Sequence, residues 1–179
     1  MQNNTERVLA VLRDSGQRLH ALLLRLTLRA DVAEDLLQEL FLRLHRSAGF
    51  AGAANRTAYA FRAAVHLAFE WRRGWKPAAV GLEQIEDVAE NAVPPLQTMA
   101  AREQMEKVLE MVGTLKGLQR DAVVMRYIQQ QSFPSIAEQL NKTPHQVRAL
   151  CHKGIRRLRN RLAADRKLHD MQEQPRGRN

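Results

Sequence analysis

The 179-residue sequence is poor in several features, and each shortage excludes a class of protein. Cys151 is the only cysteine, which excludes an intrachain disulfide and a cysteine zinc cluster. No apolar run approaches the roughly 20 residues of a membrane-spanning helix. The first six residues lack the basic start and apolar centre of a secretory signal. Alternation of β-branched and polar residues is scarce as well. We therefore expect an all-helical, cytoplasmic protein.

Sequence signatures of common enzymes are also missing. There is no H-E-x-x-H zinc motif, no Glu-x-x-His pair of a di-iron bundle, and no glycine pattern of the Walker or Rossmann type. His66 and Glu70 stand one helical turn apart and could share a metal, but a pair on a helix surface is the commoner meaning of that spacing. We expect no catalysis, no cofactor and no metal.

What the chain does have is positive charge. Its 28 Lys and Arg exceed its 19 Asp and Glu, which gives a formal net charge of +9 and a pI near 10.6. Such a balance attracts polyanions at long range, and nucleic acid is the usual one. An anionic membrane surface is the rival, but the capped turn described below would serve no purpose there.

Helical periodicity divides the chain into two halves. In the first half we predict helices at 17–28, 31–47 and 56–75, a break at Ser15-Gly16 and a loop at 49–52. The fold prediction is two small helical domains, of which the second is a helix-turn-helix. The boundaries are a first domain at 5–77, an acidic linker at 78–97, a second domain at 98–165 and a flexible tail at 166–179.

The predicted linker carries four acidic residues and no Lys or Arg. One interpretation is a disordered, solvated connector. The other is that an acidic segment between two basic domains mimics a nucleic-acid strand or shields those domains when they are unbound.

Residues 132–162 predict a helix-turn-helix. The apolar residues of its first helix, at helical spacing, are Phe133, Ile136, Ala137 and Leu140. Asn141 tolerates the left-handed backbone that a helix end needs. Thr143 as N-cap, Pro144 at the first helical position and Gln146 then open a second helix with a capping box.

The second helix separates an apolar stripe from a basic surface. The stripe contains Val147, Cys151, Ile155, Leu158 and Leu162, so we expect Cys151 to be a buried small hydrophobe. The basic residues lie mostly off the stripe: His145, Arg148, His152, Lys153, Arg156, Arg157 and Arg159. Such a helix can offer side chains to a major groove and its phosphates. An ordinary helical hairpin with a solvated basic face is the alternative.

Two segments of the first half carry distinct surfaces. Residues 31–44 form an amphipathic helix whose polar face is Asp31, Glu34, Asp35, Gln38 and Glu39. These acids favour the helix dipole, and in so basic a chain they also suit a protein partner. Residues 55–77 interleave aromatics with arginines, a combination suited to stacking single-stranded bases, although most of the aromatics serve packing.

Together these segments resemble the extracytoplasmic-function group of bacterial RNA polymerase sigma factors. Residues 31–43 match the pattern D-x-A-E-D-L-x-Q-E-x-F of that family's polymerase-binding helix. Phe61-Arg62 and residues 66–73 resemble its promoter-melting helix, and residues 115–162 resemble its second conserved domain. The resemblance spans both halves of the chain in the family's order, with a linker between the halves.

The resemblance implies three sets of site residues. Those implied to dock on the clamp helices of the polymerase are Asp31, Asp35, Gln38 and Glu39. Those implied to open and hold the −10 element are Asn55, Arg56, Tyr59, Arg62, His66, Trp71, Arg72 and Arg73. Those implied to read the −35 element as duplex are Thr143, His145, Gln146, Arg148, Ala149, His152, Lys153, Arg156 and Arg157.

The implied partners are core RNA polymerase and promoter DNA, both duplex and single-stranded, with no membrane insertion. Family members are often held by an anti-sigma protein as well. The linker would thread toward the polymerase active site or RNA exit path. A stand-alone two-domain helix-turn-helix regulator, binding duplex operator DNA as a dimer, is the alternative function.

The sequence departs from the family pattern at five places. The family usually has Asn where this chain has His66, and Asp where it has Glu70. A leucine-proline pair is common in place of Leu115-Lys116, and glycine followed by an apolar residue is usual in place of Asn141-Lys142. Arginine is frequent in place of Leu150. These changes bear on promoter sequence and leave the expected architecture intact.

Overall fold

The computed structural model of the protein describes residues 4–74 and 99–173, with side chains up to residue 164. The first segment contains α1 (Asn4–Thr27), α2 (Ala30–Arg46), α3 (Ala48–Ala51) and α4 (Arg56–Gly74). The second contains α5 (Met99–Thr114), α6 (Leu118–Val123), a π-helical segment (Val124–Ile128), α7 (Phe133–Leu140) and α8 (Pro144–Glu173). These two segments contain no strand, so the all-helical prediction is confirmed. The linker predicted at 78–97 lies outside the described residues.

The first helix corrects the predicted break at Ser15-Gly16. Helix α1 runs without interruption through both residues. Ser15 is buried on the same face as Val11 and Leu19, and a glycine inside a helix costs only about 1 kcal/mol relative to alanine. Burial of this face in the core therefore outweighs the local preference for a turn.

The predicted loop at 49–52 is also wrong, because a short helix, α3, forms there. The Ser47 hydroxyl accepts a hydrogen bond from the Phe50 backbone N–H at 3.1 Å, which caps the helix. Phe50 is completely buried and anchors the turn in the core of the first half.

The two halves share an apolar core. Leu109, Val112 and Leu115 join the same cluster as the buried residues of α1, α2 and α4. Gly113 permits the close approach of α5 to α4, since a β-carbon at that position would lie 3.3 Å from Phe69 Cδ1. A second cluster lies between the helix-turn-helix and the segments before it, α6 and the π-helical segment; it contains Ala122, Met125, Ile136, Ala137, Leu140, Val147 and Cys151.

The turn between α7 and α8 has the predicted geometry. Ser132 caps α7, and Asn141 adopts a left-handed conformation with φ 51° and ψ 52°. The Thr143 hydroxyl accepts from the Gln146 backbone N–H at 3.2 Å, and Gln146 Oε1 accepts from the Thr143 N–H at 3.0 Å. The capping box is therefore confirmed.

Helix α8 differs from the prediction at its far end. Leu162 is 40% exposed and does not continue the packed stripe. The helix itself continues to Glu173, well into the predicted tail, since no Gly or Pro interrupts the sequence between Gly154 and Pro175. Among the helices of the described segments, none is both long and apolar enough to cross a membrane.

Replacing Asn141 with Ala should destabilise the protein. A β-carbon without a compensating polar group makes a left-handed residue unfavourable by about 1–2 kcal/mol, and asparagine avoids part of that cost. We expect a fall of a few degrees in the thermal unfolding midpoint, measured by circular dichroism. Asn141→Gly is the matched control and should unfold at or above the wild-type temperature. An unchanged midpoint for Asn141→Ala would contradict the role assigned to this residue.

Candidate nucleic-acid and polymerase interfaces

Helix α8 presents a continuous polar surface to solvent. Val147, Cys151 and Gly154 face inward. A β-carbon at Gly154 would lie 2.7 Å from Val123 Cγ2, so glycine is needed for the close packing of α8 on α6. The nine residues predicted to read duplex DNA are all exposed: Thr143, His145, Gln146, Arg148, Ala149, His152, Lys153, Arg156 and Arg157. The packing of one face thus leaves the other free for a nucleic acid.

Several of these exposed side chains also have partners within the domain. The Arg148 guanidinium lies 5.3 Å from the centroid of the Phe133 ring, and Arg126 lies 4.7 Å from the same centroid. Arg157 Nη1 donates to Gln119 Oε1 at 2.5 Å. These contacts hold two long side chains in defined positions, which lowers the entropy cost of using them in binding.

Helix α2 carries the acidic surface. Asp31, Asp35 and Gln38 are exposed, whereas Glu39 is half-buried and accepts a hydrogen bond from Arg43 Nε at 2.8 Å. A hydrogen bond from Arg29 lowers the pKa of Asp31. Asp31 therefore stays ionised to lower pH than an isolated aspartate.

An apolar groove beside this acidic surface was not predicted. It is lined by Leu12, Leu37, Gln38, Phe41 and Leu42. Leu37 and Phe41 are half-buried. Leu42 is 43% exposed. A partner of α2 would therefore meet apolar as well as acidic groups. The signal for this groove in the sequence is that the apolar residues of α2 cover more of the helix than one packed face can bury.

Glu70, which stands where the family usually has Asp, connects two helices. Glu70 Oε2 accepts a hydrogen bond from Arg43 Nη1 at 2.7 Å, which ties α4 to α2. The hydrogen bond to Glu39, and after it the one to Glu70, raises the pKa of Arg43.

At the N-terminal end of α4, three of the residues predicted to bind DNA make contacts within the first half of the chain. Asn55 Oδ1 accepts from the Ala58 backbone N–H at 2.9 Å and caps the helix. Arg56 Nη2 donates to the Ala51 carbonyl at 3.4 Å. The Tyr59 hydroxyl lies 3.0 Å from the Ser47 hydroxyl. Tyr59 nevertheless remains 36% exposed, so its ring is accessible from one side.

The middle and end of α4 turn two arginines and a histidine toward the second half. Arg62 Nε and His66 Nε2 lie 3.4 Å and 3.6 Å from the two carboxylate oxygens of Asp121. Arg72 Nη2 lies 2.5 Å from Glu106 Oε2, and its side chain is only 7% exposed. Trp71 is half-buried and Arg73 is exposed. Arg62, His66 and Arg72 thus have partners in the second half.

Asp121 and Glu106 could not be identified from the sequence, because each lies far from its α4 partner along the chain. Asp121 is completely buried and also lies 3.9 Å from Arg120 Nε. Burial lowers the pKa of Arg120, whose guanidinium stacks 5.1 Å from the centroid of the Phe69 ring.

Two family models match the chain, one in each half. Sigma-70 region 2 matches residues 11–76, and Sigma-70, region 4, of the type found in extracytoplasmic-function members, matches residues 105–158. The chain belongs to the extracytoplasmic-function sigma factors. Among curated proteins, none matches this sequence. Since region 2 has no place in a stand-alone operator-binding regulator, the match over the first half decides between the two functions considered.

As a sigma factor, the protein acts in promoter recognition. The region 2 match covers most of α1 and all of α2–α4, and the region 4 match covers most of α5 and continues into α8. Asn141 takes the left-handed conformation that glycine would otherwise supply at the turn of the family. Leu150, where arginine is frequent in the family, packs against the second core cluster, so a basic side chain is absent from that position of α8.

The single thiol of this sigma factor should be unreactive in the folded state. Cys151 is 2% exposed, its Sγ lies 3.5 Å from the Ala122 carbonyl oxygen, and burial raises its pKa. Because the thiolate is the reactive form, Ellman's reagent at pH 8 should modify Cys151 much more slowly in native buffer than in guanidinium. A Lys107→Cys variant in a Cys151→Ala background should react rapidly and serves as the control. Equal rates for native and unfolded Cys151 would contradict the assigned burial.

Proposed function

We propose that this sigma factor divides promoter recognition among three helices. Helix α2 docks on core RNA polymerase, α4 opens and holds the −10 element, and α8 reads the −35 element in the major groove. The single observation that carries the proposal is the exposed face of α8, where all nine predicted duplex-reading residues are accessible beside a capped helix-turn-helix.

The geometry of α8 supports major-groove binding. A recognition helix contacts base edges mainly through residues near its N-terminus, and His145, Arg148 and Ala149 occupy the first two turns of α8. Lys153, Arg156 and Arg157 follow further along and suit phosphates. We assign base contacts to the first group and phosphate contacts to the second.

The surface of α2 supports a protein partner. Asp35 and Gln38 are exposed beside the apolar groove that includes Leu42. A surface that combines an apolar patch with a charged margin is typical of a specific protein interface. We assign Asp31, Asp35, Gln38 and Glu39 to contacts with the polymerase clamp helices.

The role of α4 follows from its aromatic and cationic residues. Tyr59 and Trp71 offer ring faces, and Arg62, Arg72 and Arg73 offer cations for phosphates. Strand opening would then be driven by binding an unstacked base more favourably than a paired one, without bond chemistry. The protein is accordingly proposed to be non-enzymatic and cytoplasmic, with an anti-sigma protein as a further partner.

Run-off transcription tests the assignment as a whole. Purified core polymerase should initiate from members of a genomic promoter library only when this chain is added. Loss of initiation in an α8 variant that still captures polymerase would assign α8 to promoter recognition.

Lys153→Ala should weaken binding to duplex DNA about equally for all sequences. A phosphate contact carries no sequence information, and its loss should reduce the dependence of log affinity on log salt concentration by about 1. Fluorescence anisotropy with a labelled duplex, between low and moderate salt, measures both quantities. Lys107→Ala removes the same charge from α5 and should leave the slope unchanged. An unaltered slope for Lys153→Ala would remove this residue from the interface.

Asp35→Arg should abolish polymerase capture while duplex binding persists. Reversing a charge at a desolvated interface typically costs at least about 2 kcal/mol. Co-purification of tagged full-length chain with core polymerase measures the loss, and duplex anisotropy measures retained DNA binding. Glu110→Arg, an equal charge change on the exposed side of α5, is the control. Normal co-purification of Asp35→Arg would remove the role assigned to α2.

A further inference from the structure

Arg148 is the one arginine that the first two turns of α8 offer to a base. No other Lys or Arg stands between Pro144 and Leu150, and Leu150 itself occupies the place where arginine is frequent in the family. An arginine discriminates a base pair by donating two hydrogen bonds to a base edge, which requires a defined orientation of its guanidinium. Sequence recognition at this end of α8 therefore depends on how Arg148 is held.

The Arg148 side chain is held by an aromatic ring on the preceding helix. Its guanidinium carbon lies 5.3 Å from the centroid of the Phe133 ring, within the roughly 6 Å at which a ring face attracts a cation. Among the described residues Arg148 has neither a hydrogen bond nor an ion pair, whereas Arg157 Nη1 already donates to Gln119. A guanidinium over a ring face keeps the N–H groups along its edge available. The ring thus restricts Arg148 without engaging the donors that a base edge needs.

We propose that Phe133 is a positioning residue for sequence recognition, because its ring orders the Arg148 guanidinium for contact with one base pair of the duplex. The proposal rests on the proposed function of α8 and assigns part of the specificity of α8 to a residue of α7. Since Phe133 acts through Arg148, loss of the ring weakens discrimination at a single base pair and leaves discrimination at the others intact.

The position of the Phe133 ring is set independently of Arg148. Phe133 is the first residue of α7, and the Ser132 hydroxyl caps that helix by accepting a hydrogen bond from the Ser135 N–H at 3.3 Å. The ring is half-buried and packs against the second core cluster. The left-handed Asn141 and the capping box then fix the course of α8 relative to α7. The contact between the ring and Arg148 is therefore a product of the turn and is present before DNA binds.

A second cation, Arg126, shares the same ring. Its guanidinium carbon lies 4.7 Å from the ring centroid, and its Nη1 donates to the Gln131 carbonyl at 2.8 Å, which anchors it. Neither Arg126 nor Arg148 forms an ion pair within the part of the chain that the structure describes. Like charges this close repel each other. Because Arg126 is anchored, the repulsion disfavours folding of Arg148 back onto the domain and keeps it exposed.

Transcription by polymerase reconstituted with the full-length chain measures the proposed discrimination. The templates carry one promoter from the genomic library, with the base pairs around −35 randomised and a barcode in the transcribed region. Barcode counts among the transcripts give the preference for each base at each position. Phe133→Leu keeps an apolar side chain but removes the ring, and should lower the preference at one base pair about two- to fivefold, as for an exposed cation–π contact. Arg148→Ala should lower the preference at the same base pair at least about fivefold.

Four further chains separate positioning from a general loss of structure. Phe133→Tyr retains the ring face and should keep the wild-type preference. Pentafluorophenylalanine at position 133 keeps the ring shape but removes the negative charge of its face, so it should lower the preference while the thermal unfolding midpoint stays that of the wild type. Phe133→Leu combined with Arg148→Ala should lower the preference no further than Arg148→Ala alone. Tyr127→Leu removes an exposed ring of the π-helical segment and, as the matched control, should leave every preference unchanged.

The preference at the shared base pair decides the inference. A loss with both Phe133→Leu and pentafluorophenylalanine, at the base pair where Arg148→Ala acts and beyond the Tyr127→Leu control, supports it. A wild-type preference with pentafluorophenylalanine, or a further loss from Phe133→Leu in the Arg148→Ala background, overturns it and leaves the proposed function of α8 intact. The absence of any base preference around −35 in the wild type overturns the base contacts assigned to α8, and the positioning role with them.

Discussion

Helix α4 is the element on which the rest of the structure depends, because both halves of the chain pack against it. Phe61 and Val65 are buried in the core that it shares with α1 and α2. Phe69, near its other end, meets Gly113 of α5 and supports the guanidinium of Arg120. A helix packed on two sides has little free surface, so the position of its remaining polar residues decides what it can bind.

The charged side chains of α2, α4 and α8 differ in how far they are exposed to solvent. The basic face of α8 is open to solvent, since the opposite face, which includes the buried residues Val147, Cys151 and Gly154, makes its packing contacts. The acidic face of α2 is partly open, because Arg29 and Arg43 engage Asp31 and Glu39. The cationic face of α4 is the most engaged of the three, since Arg72 is nearly buried against Glu106.

Local sequence rules succeeded where a short stretch contains all the interacting groups. The capping box of Thr143 and Gln146 and the left-handed Asn141 involve residues a few positions apart, so their chemistry can be read directly from the order of residues. The same rules failed at Ser15-Gly16 and at 49–52. There, burial of Ser15 and Phe50 in a core built from several helices outweighed weak turn preferences.

The sequence by itself determined the helical class, the helix-turn-helix and the family, because periodicity, capping and motif order are properties of neighbouring residues. Only the tertiary structure decided which of the predicted surfaces is accessible. The partners of Arg62, His66 and Arg72 lie 34 to 59 positions away along the chain, and packing of α5 and α6 on α4 brings them together. No local pattern encodes such a contact, because its energy depends on the burial that the whole fold creates.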